Sequence, residues 1–158
     1  MNEIYFYEGE VNQAGLQHGY GRLWPWHGSA LLKLEGEFVN GHIEGNVTIY
    51  EYVFAAVATQ IKGFLRDGIF IGPVKFYDGN DALKEIGKME DDDFEDEFCG
   101  VYNNNGKMNF RGGKKCGSRE GFGVEYYSNG QISYVGEFEN DFYKMQQSRL
   151  AAILDKRG

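Results

Sequence analysis

Proline, cysteine and long apolar runs are all scarce in this sequence. Two of its 158 residues are proline, and two are cysteine, Cys99 and Cys116, at a spacing that fits no zinc site. Two cysteines also fall short of a disulfide framework, so the sequence predicts a reduced, cytoplasmic protein. The longest apolar run, 52–58, is far shorter than the roughly 20 residues that span a bilayer. The acidic start of the chain predicts no signal peptide.

Positive charge is also in the minority, because 16 lysines and arginines face 24 aspartates and glutamates, which gives a net charge of −8. An acidic chain is repelled by phosphate backbones, so we expect no nucleic-acid partner. Glycine is abundant, with 23 residues, and so are aromatic side chains, with 11 tyrosines, 12 phenylalanines and 2 tryptophans. This composition is typical of short β-strands separated by glycine turns rather than of a disordered chain.

Two columns of residues recur along the chain at nearly constant intervals. The first is a glycine two residues into a short strand, with steps of 27, 27, 24, 25 and 24 residues: Gly9, Gly36, Gly63, Gly87, Gly112 and Gly136. The second is the aromatic column, which ends the following strand with steps of 26, 27, 25 and 24: Trp24, Tyr50, Tyr77, Tyr102 and Tyr126. Because both columns keep the same period, the sequence predicts a tandem repeat of one small structural unit.

Each repeat has the pattern of a β-hairpin. Turn pairs that favour tight hairpin turns follow the aromatic column at His27-Gly28, Asp78-Gly79, Asn105-Gly106 and Asn129-Gly130. The connections are too short for the crossover that parallel strands need, so the strands should form an antiparallel meander. The sequence therefore predicts an all-β array over residues 1–140, with repeats starting near residues 7, 34, 61, 85 and 110 and a partial sixth at 134.

Several repeats resemble the MORN repeat (membrane occupation and recognition nexus). The similarity is carried by Tyr7-Glu-Gly-Glu-Val, His18-Gly-Tyr-Gly-Arg-Leu-Trp24, Leu34-Glu-Gly-Glu-Phe-Val-Asn-Gly41 and Glu120-Gly-Phe-Gly-Val-Glu-Tyr-Tyr-Ser-Asn-Gly130. The fourth repeat departs most from the pattern, because an acidic tract replaces the usual turn and Glu97 stands where glycine is expected.

The resemblance implies an elongated, twisted, single-layer sheet of hairpins. Members of this family act as scaffolds, dimerisation modules or adaptors, and some were proposed to bind acidic phospholipids. No catalytic domain accompanies the repeats here. The function expected from the resemblance is therefore a non-catalytic scaffold or adaptor that binds a protein partner or itself, in the cytoplasm, on the cytoskeleton or at a membrane periphery.

The period stops after Asn140, and the remaining segment has a helical pattern. It lacks glycine and proline as far as Lys156, and apolar residues such as Leu150, Ile153 and Leu154 fall near helical spacing. The sequence predicts a C-terminal α-helix over 141–158. We expect this helix to cap the open end of the array, with docking on a partner as the alternative.

The aromatic column Trp24, Tyr50, Tyr77, Tyr102 and Tyr126 has two interpretations. Adjacent aromatic residues stabilise a sheet, so the column can form the core. An aromatic stripe left uncovered on a single layer would instead mark a protein interface, and these five residues are the predicted protein-binding site.

A basic cluster follows the acidic tract and supports the alternative function of binding anionic phospholipid membranes: Lys107, Arg111, Lys114, Lys115 and Arg119. Each basic side chain near an anionic leaflet contributes about 1 kcal/mol. The net charge of −8 opposes membrane binding, so a role within the fold is an equal alternative for the cluster.

Catalytic and metal-binding patterns are missing from the sequence. The acidic tract 90–97 lacks the glycine and flanking helices of an EF-hand and is predicted to be a solvated loop. His18, His27 and His42 lie too far apart to suggest a metal triad, and no nucleophile elbow or phosphate-binding loop is present. We therefore predict that the protein is not an enzyme and holds no cofactor or metal.

Overall fold

The computed structural model describes residues 5–25, 32–54, 56–90 and 93–144, and within these ranges the chain is all-β, as predicted. Alternating side chains and glycine turns divide the sequence into short strands. The strands are β1 (Tyr5–Val11), β2 (Gln17–Pro25), β3 (Leu32–Val39), β4 (His42–Val53), β5 (Ala56–Arg66), β6 (Ile69–Phe70), β7 (Val74–Asp78), β8 (Leu83–Gly87), β9 (Met89–Glu90), β10 (Asp93–Phe94), β11 (Asp96–Tyr102), β12 (Met108–Lys115), β13 (Ser118–Tyr126), β14 (Ile132–Glu139) and β15 (Phe142–Tyr143).

The chain divides into an N-terminal unit, Met1–Met89, and a C-terminal unit, Glu90–Gly158. In the N-terminal unit, neighbouring strands pair antiparallel in the order β1-β2-β3-β4-β5-β7-β8. β6 and β7 share one edge of β5, since β6 pairs with residues 65–66 and β7 with residues 59–62. Pro73 lies between them and has no N–H for the ladder, which separates the two pairings.

The C-terminal unit is a second run of antiparallel hairpins, in the order β11-β12-β13-β14-β15. The short strands β9 and β10 pair only with each other. Both units therefore have the meander order that the short connections predict.

Glycines of neighbouring strands lie in register in the N-terminal unit. Gly9 pairs with Gly21, and Gly21 pairs with Gly36. A Cβ on Gly9 would stand 2.5 Å from the hydroxyl of Tyr7 and 2.6 Å from the Cα of Gly21, so only glycine allows the tyrosine to lie across these strands. The Tyr7 ring in turn packs edge-on against Phe38, with ring centroids 5.2 Å apart.

The C-terminal unit repeats this arrangement with different rings. Gly112, Gly123 and Gly136 pair in one row that begins at Cys99. A Cβ on Gly123 would lie 2.5 Å from Phe110 and 3.2 Å from Phe138, whose rings meet edge to face at 5.2 Å. We call the side of each unit that carries its glycine row the glycine face.

The core of each unit lies on its glycine face. Side chains alternate along a strand, so residues two positions from a row glycine share its face. The buried apolar residues fit this pattern in the N-terminal unit, where they are Phe38, Val47, Leu65 and Val74. In the C-terminal unit they are Phe94, Cys99, Phe110 and Phe138.

Two kinds of turn connect the strands. Two-residue turns with consecutive positive φ angles lie at Asn40-Gly41, Asp67-Gly68, Cys116-Gly117 and Asn140-Asp141. Wider loops of one type lie at 12–16, 78–82, 103–107 and 127–131, and in each the first backbone N–H donates to the fifth carbonyl. The predicted tight turns Asp78-Gly79, Asn105-Gly106 and Asn129-Gly130 belong to this wider type, and His27-Gly28 lies outside the described residues.

An asparagine or aspartate at the first position accounts for three of the wider loops, 12–16, 78–82 and 103–107. Oδ1 of Asn103 accepts backbone N–H groups of Asn105 and Lys107, and Oδ1 of Asp78 does the same for Asn80 and Ala82. By accepting these two hydrogen bonds, the side chain satisfies backbone N–H groups that no neighbouring strand reaches in the loop. Each of the four loops follows a register shift in its pair of strands, as between Val101 and Tyr102 before the loop 103–107.

The predicted C-terminal helix over 141–158 is not supported. Asp141 belongs to a turn, and Phe142–Tyr143 form β15, which pairs with β14. The Tyr143 ring stacks on Tyr134 at 4.2 Å, a contact that favours the extended conformation. Residues 145–158, which carry the rest of the predicted helix, lie outside the described residues. The described segments include no helix long and apolar enough to span a membrane.

We expect Gly123→Ala to lower the free energy of unfolding by about 1–3 kcal/mol, because the new methyl group would overlap the buried rings of Phe110 and Phe138. Urea unfolding followed by aromatic fluorescence measures this loss. Ser128→Ala, in an exposed loop, is the control and should leave stability within about 0.5 kcal/mol. Equal stability of the wild type and Gly123→Ala would contradict the close packing of rings on the glycine row.

Candidate functional site

The predicted aromatic column lies on the side of each unit opposite the glycine face, which we call the column face. Each member directly follows a residue of the core side in its strand, as Tyr50 follows Ile49 and Tyr77 follows Phe76. Because side chains alternate, the column points away from the core. All five members, Trp24, Tyr50, Tyr77, Tyr102 and Tyr126, are half-buried.

Local contacts account for the partial burial of the column in the N-terminal unit. The ring centroids of Phe6 and Trp24 lie 5.0 Å apart. The ammonium groups of Lys33 and Lys62 stand 4.9 and 4.7 Å from the ring centres of Tyr50 and Tyr77. Two tyrosines of the column, Tyr50 and Tyr77, therefore carry a lysine on the ring face. The column is separate from the core, which was the other interpretation of its aromatic residues.

A row of mostly charged side chains runs beside the column in the N-terminal unit. Its members pair directly across neighbouring strands: Glu8, Arg22, Glu35, Thr48, Lys62 and Lys75. The row begins with alternating signs and ends with two lysines side by side. This asymmetry depends on the strand register.

Glu35 is a carboxylate of that row with three polar side-chain partners. It accepts hydrogen bonds from Tyr20 at 2.6 Å and from Arg22 at 3.3 Å, and it pairs with Lys33 at 3.1 Å. Burial raises the pKa of Glu35, but the hydrogen bonds from Tyr20 and Lys33 outweigh it and hold the pKa below 4.5. The same hydrogen bond raises the pKa of Tyr20 to about 12. The charge of Glu35 is thus compensated locally.

A groove of about 480 Å³ opens on the column face next to this cluster. Glu35 and Tyr20 line one part of it, and Lys62 and Lys75 line another. Its apolar wall comes from Phe64 on β5 and from the loop between β6 and β7, which carries Ile71 and Pro73. The side chains that form it come from five strands and one loop, so no local sequence motif marks it.

A larger groove of about 640 Å³ lies on the column face of the C-terminal unit. Phe98 on β11 and Phe122 on β13 line it and are 71% and 63% exposed. Val124 and the backbone of Gly112 and Gly113 also line the groove, and Arg111, Glu97 and Glu120 add charge to the lining. Phenylalanines in a strand are typical of core positions, so the sequence pattern does not mark these two as surface residues.

The predicted basic cluster does not form one patch. Arg111 lines the groove on the column face, whereas Arg119 lies on the glycine face with its guanidinium 4.8 Å from the ring centre of Phe138. The ammonium group of Lys114 stands 5.7 Å from the ring centre of Phe94. Lys107 and Lys115 are exposed, in a loop and at the end of β12. A lipid-binding role of the cluster stays a prediction, with part of its charge used inside the fold.

Arg119 is the centre of a polar cluster on the glycine face. Its guanidinium pairs with Glu125 at 2.5 Å and with Asp141 at 3.3 Å. Tyr143 and Ser133 donate hydrogen bonds to Glu125 at 2.6 and 3.2 Å. Burial raises the pKa of Glu125, but the hydrogen bonds from Tyr143, Arg119 and Ser133 outweigh it and lower the pKa below 4.5. This cluster joins β13, β14 and β15.

The acidic tract 90–97 is only partly the solvated loop that was predicted. It contributes to β9, β10 and β11, and its single aromatic residue, Phe94, is buried. Glu97 is exposed and lines the larger groove. Within the described ranges, no group of three or more histidines, cysteines and carboxylates is placed to hold a metal ion.

The sequence matches no protein-family profile, and no curated protein matches it significantly. The resemblance to the MORN repeat therefore stays a prediction carried by the residues themselves.

We expect Glu125→Gln to lower the free energy of unfolding at neutral pH by about 1–3 kcal/mol, because Arg119 loses a charged partner at a half-buried position. The folded pKa of Glu125 is depressed, so its contribution is complete above the unfolded value near 4.5 and is lost as pH falls through the folded pKa. Urea unfolding at a series of pH values should show the wild type and variant converging in acid.

Glu139→Gln, which removes an exposed carboxylate on the neighbouring strand, serves as the control and should track the wild type at neutral pH. A constant difference between the wild type and Glu125→Gln from neutral to acidic pH would contradict the role given to the Glu125 charge.

Proposed function

We propose that this chain is a non-catalytic protein-interaction module that binds a partner through the column face of its hairpins. The observation that carries the proposal is the groove between Phe98 and Phe122, where two large apolar side chains are mostly exposed beside a glycine backbone. Exposed aromatic residues around a concavity are typical of protein interfaces.

Burial of the two phenylalanines would supply the binding energy. Transfer of a phenylalanine side chain out of water contributes roughly 1.5–3 kcal/mol when it is complete. Most of the surface of Phe98 and Phe122 is exposed to solvent, because the core of the unit is formed on the opposite side by Phe110 and Phe138. This exposed surface can be buried against a partner. Loss of either exposed ring should therefore weaken binding without unfolding the unit.

The lining of the groove suits a peptide that inserts an apolar side chain. Val124 and the two rings provide the apolar contact, while Arg111, Glu97 and Glu120 offer polar contacts of both signs. Carboxylates beside the arginine disfavour a negatively charged surface at this groove. The resemblance to the MORN repeat supports an adaptor role, and the five residues of the aromatic column, each on the column face of its own unit, remain predicted contacts.

Selection from a peptide-display library against the purified chain provides the probe for this groove. We expect the selected peptides to bind Phe98→Thr/Phe122→Thr at least about tenfold more weakly by fluorescence polarisation, because tenfold corresponds to only 1.4 kcal/mol of lost contact. Threonine keeps the strand propensity at both positions.

The matched control is Phe142→Thr, which removes a phenylalanine that is 76% exposed and outside the groove. It should bind like the wild type. Light scattering of the same samples separates a partner from a second copy, since a self-associating groove would give a dimer that the double variant abolishes. Failure to select any peptide, together with a monomer at all concentrations, would overturn the proposal.

A further inference from the structure

We propose that the N-terminal unit carries a second binding surface, the groove that contains Lys62 and Lys75, and that its occupant is a short acidic peptide segment. This surface is independent of the Phe98–Phe122 groove in its residues and in the chemistry of its ligand. It would give the protein two different peptide specificities.

The first observation is an unusual cross-strand pair. Lys62 on β5 lies directly opposite Lys75 on β7. Like charges in directly opposed positions destabilise a sheet. A negatively charged group bound between the two lysine ammonium groups would remove that repulsion.

The second observation is that the positive charge of this pair is uncompensated. Within the described part of the chain, neither Lys62 nor Lys75 forms an ion pair. The Lys62 ammonium stands 4.7 Å from the centre of the Tyr77 ring, which engages the charge but accepts no conventional hydrogen bond. Glu35, the carboxylate among the described residues that line the groove, is already held by Tyr20, Arg22 and Lys33.

The third observation concerns the class of ligand. The groove joins the lysine pair to an apolar wall of Phe64, Ile71 and Pro73, of which Phe64 and Ile71 are exposed. Inorganic phosphate would leave this wall uncovered. A peptide with an apolar side chain among its carboxylates covers both parts at once.

Net charge favours a short segment over an extended polyanion. The chain carries a net charge of −8, so a bilayer surface or a nucleic acid would meet repulsion over a wide area. A peptide of a few residues presents its charge only at the groove, within a Debye length of about 8 Å at physiological ionic strength. Asn46 and Thr48, which also line the groove, add hydrogen-bonding groups along its floor.

The test uses the fluorescent peptide acetyl-Asp-Asp-Phe-Asp-Glu-amide and the purified full chain. We expect saturable binding that is lost when asparagine and glutamine replace the acids of the peptide, and that weakens when alanine replaces its phenylalanine. Lys62→Gln/Lys75→Gln should reduce the affinity about fivefold or more, the effect expected for two partly exposed charges.

Two further variants keep the result interpretable. Lys88→Gln/Lys144→Gln removes the same charge from exposed positions outside the groove and should bind like the wild type. Lys75→Glu replaces the repulsion with a cross-strand ion pair to Lys62, so it should fold at least as stably as the wild type and still lose the peptide.

Absence of saturable binding up to about 1 mM peptide, the limit of a weak specific affinity, would overturn the proposal. So would equal binding of the neutral peptide, or equal binding to the Lys62→Gln/Lys75→Gln variant. Binding to phosphatidylserine vesicles that requires Lys62 and Lys75, without binding of the peptide, would assign the groove to a lipid instead. Since Phe98→Thr/Phe122→Thr leaves this groove intact, it should still bind the acidic peptide, which separates the two proposals.

Discussion

Aromatic rings that lie directly on a row of glycines are the contact on which this structure depends. Tyr7 covers Gly9 and Gly21, and Phe110 covers Gly112 and Gly123. The ring needs a strand without side chains beneath it, and the strand needs the ring to exclude water from its backbone. The contact recurs at Gly63, which lies against the Phe70 ring, and at Gly136, which lies against Tyr134, so it follows the glycine period in both units.

This packing places the core of each unit on one side of its strands and leaves the other side available for polar and partly exposed side chains. The column face is relieved of forming the main core, so it carries partly exposed tyrosines, charged rows and grooves. Glu35 with its three donors shows that this face is also ordered by polar contacts. Side chains of the column face can therefore vary while the glycine face holds the hairpins together.

The sequence was sufficient to predict the hairpins, the meander and the spacing of the glycines, because each follows from local turn chemistry and a constant period. It was not sufficient to identify the core side, since both sides of a strand carry aromatic residues: Tyr7 belongs to the core side and Trp24 to the other. Which ring packs inward depends on the glycines of the neighbouring strand, which becomes evident only from the register.

The candidate sites were harder to predict for the same reason. Lys62 and Lys75 are separated in sequence by β6 and a proline loop, and their direct opposition follows only from the pairing of β5 with β7. Phe98 and Phe122 have the composition of a core and the position of a surface. The predicted start of the helix at 141–144 is not supported, because Tyr143 lies in β15, where it stacks on Tyr134 and donates a hydrogen bond to Glu125.

The glycine row also affects how such a protein can grow in evolution. A hairpin whose two strands both contribute to the glycine row presents a position of that row at each of its edges. An in-frame duplication of one such segment therefore inserts a new hairpin without disturbing the register of those already present. Divergence can then act on the column face of the copy, as the unlike grooves beside Lys62 and Phe122 illustrate.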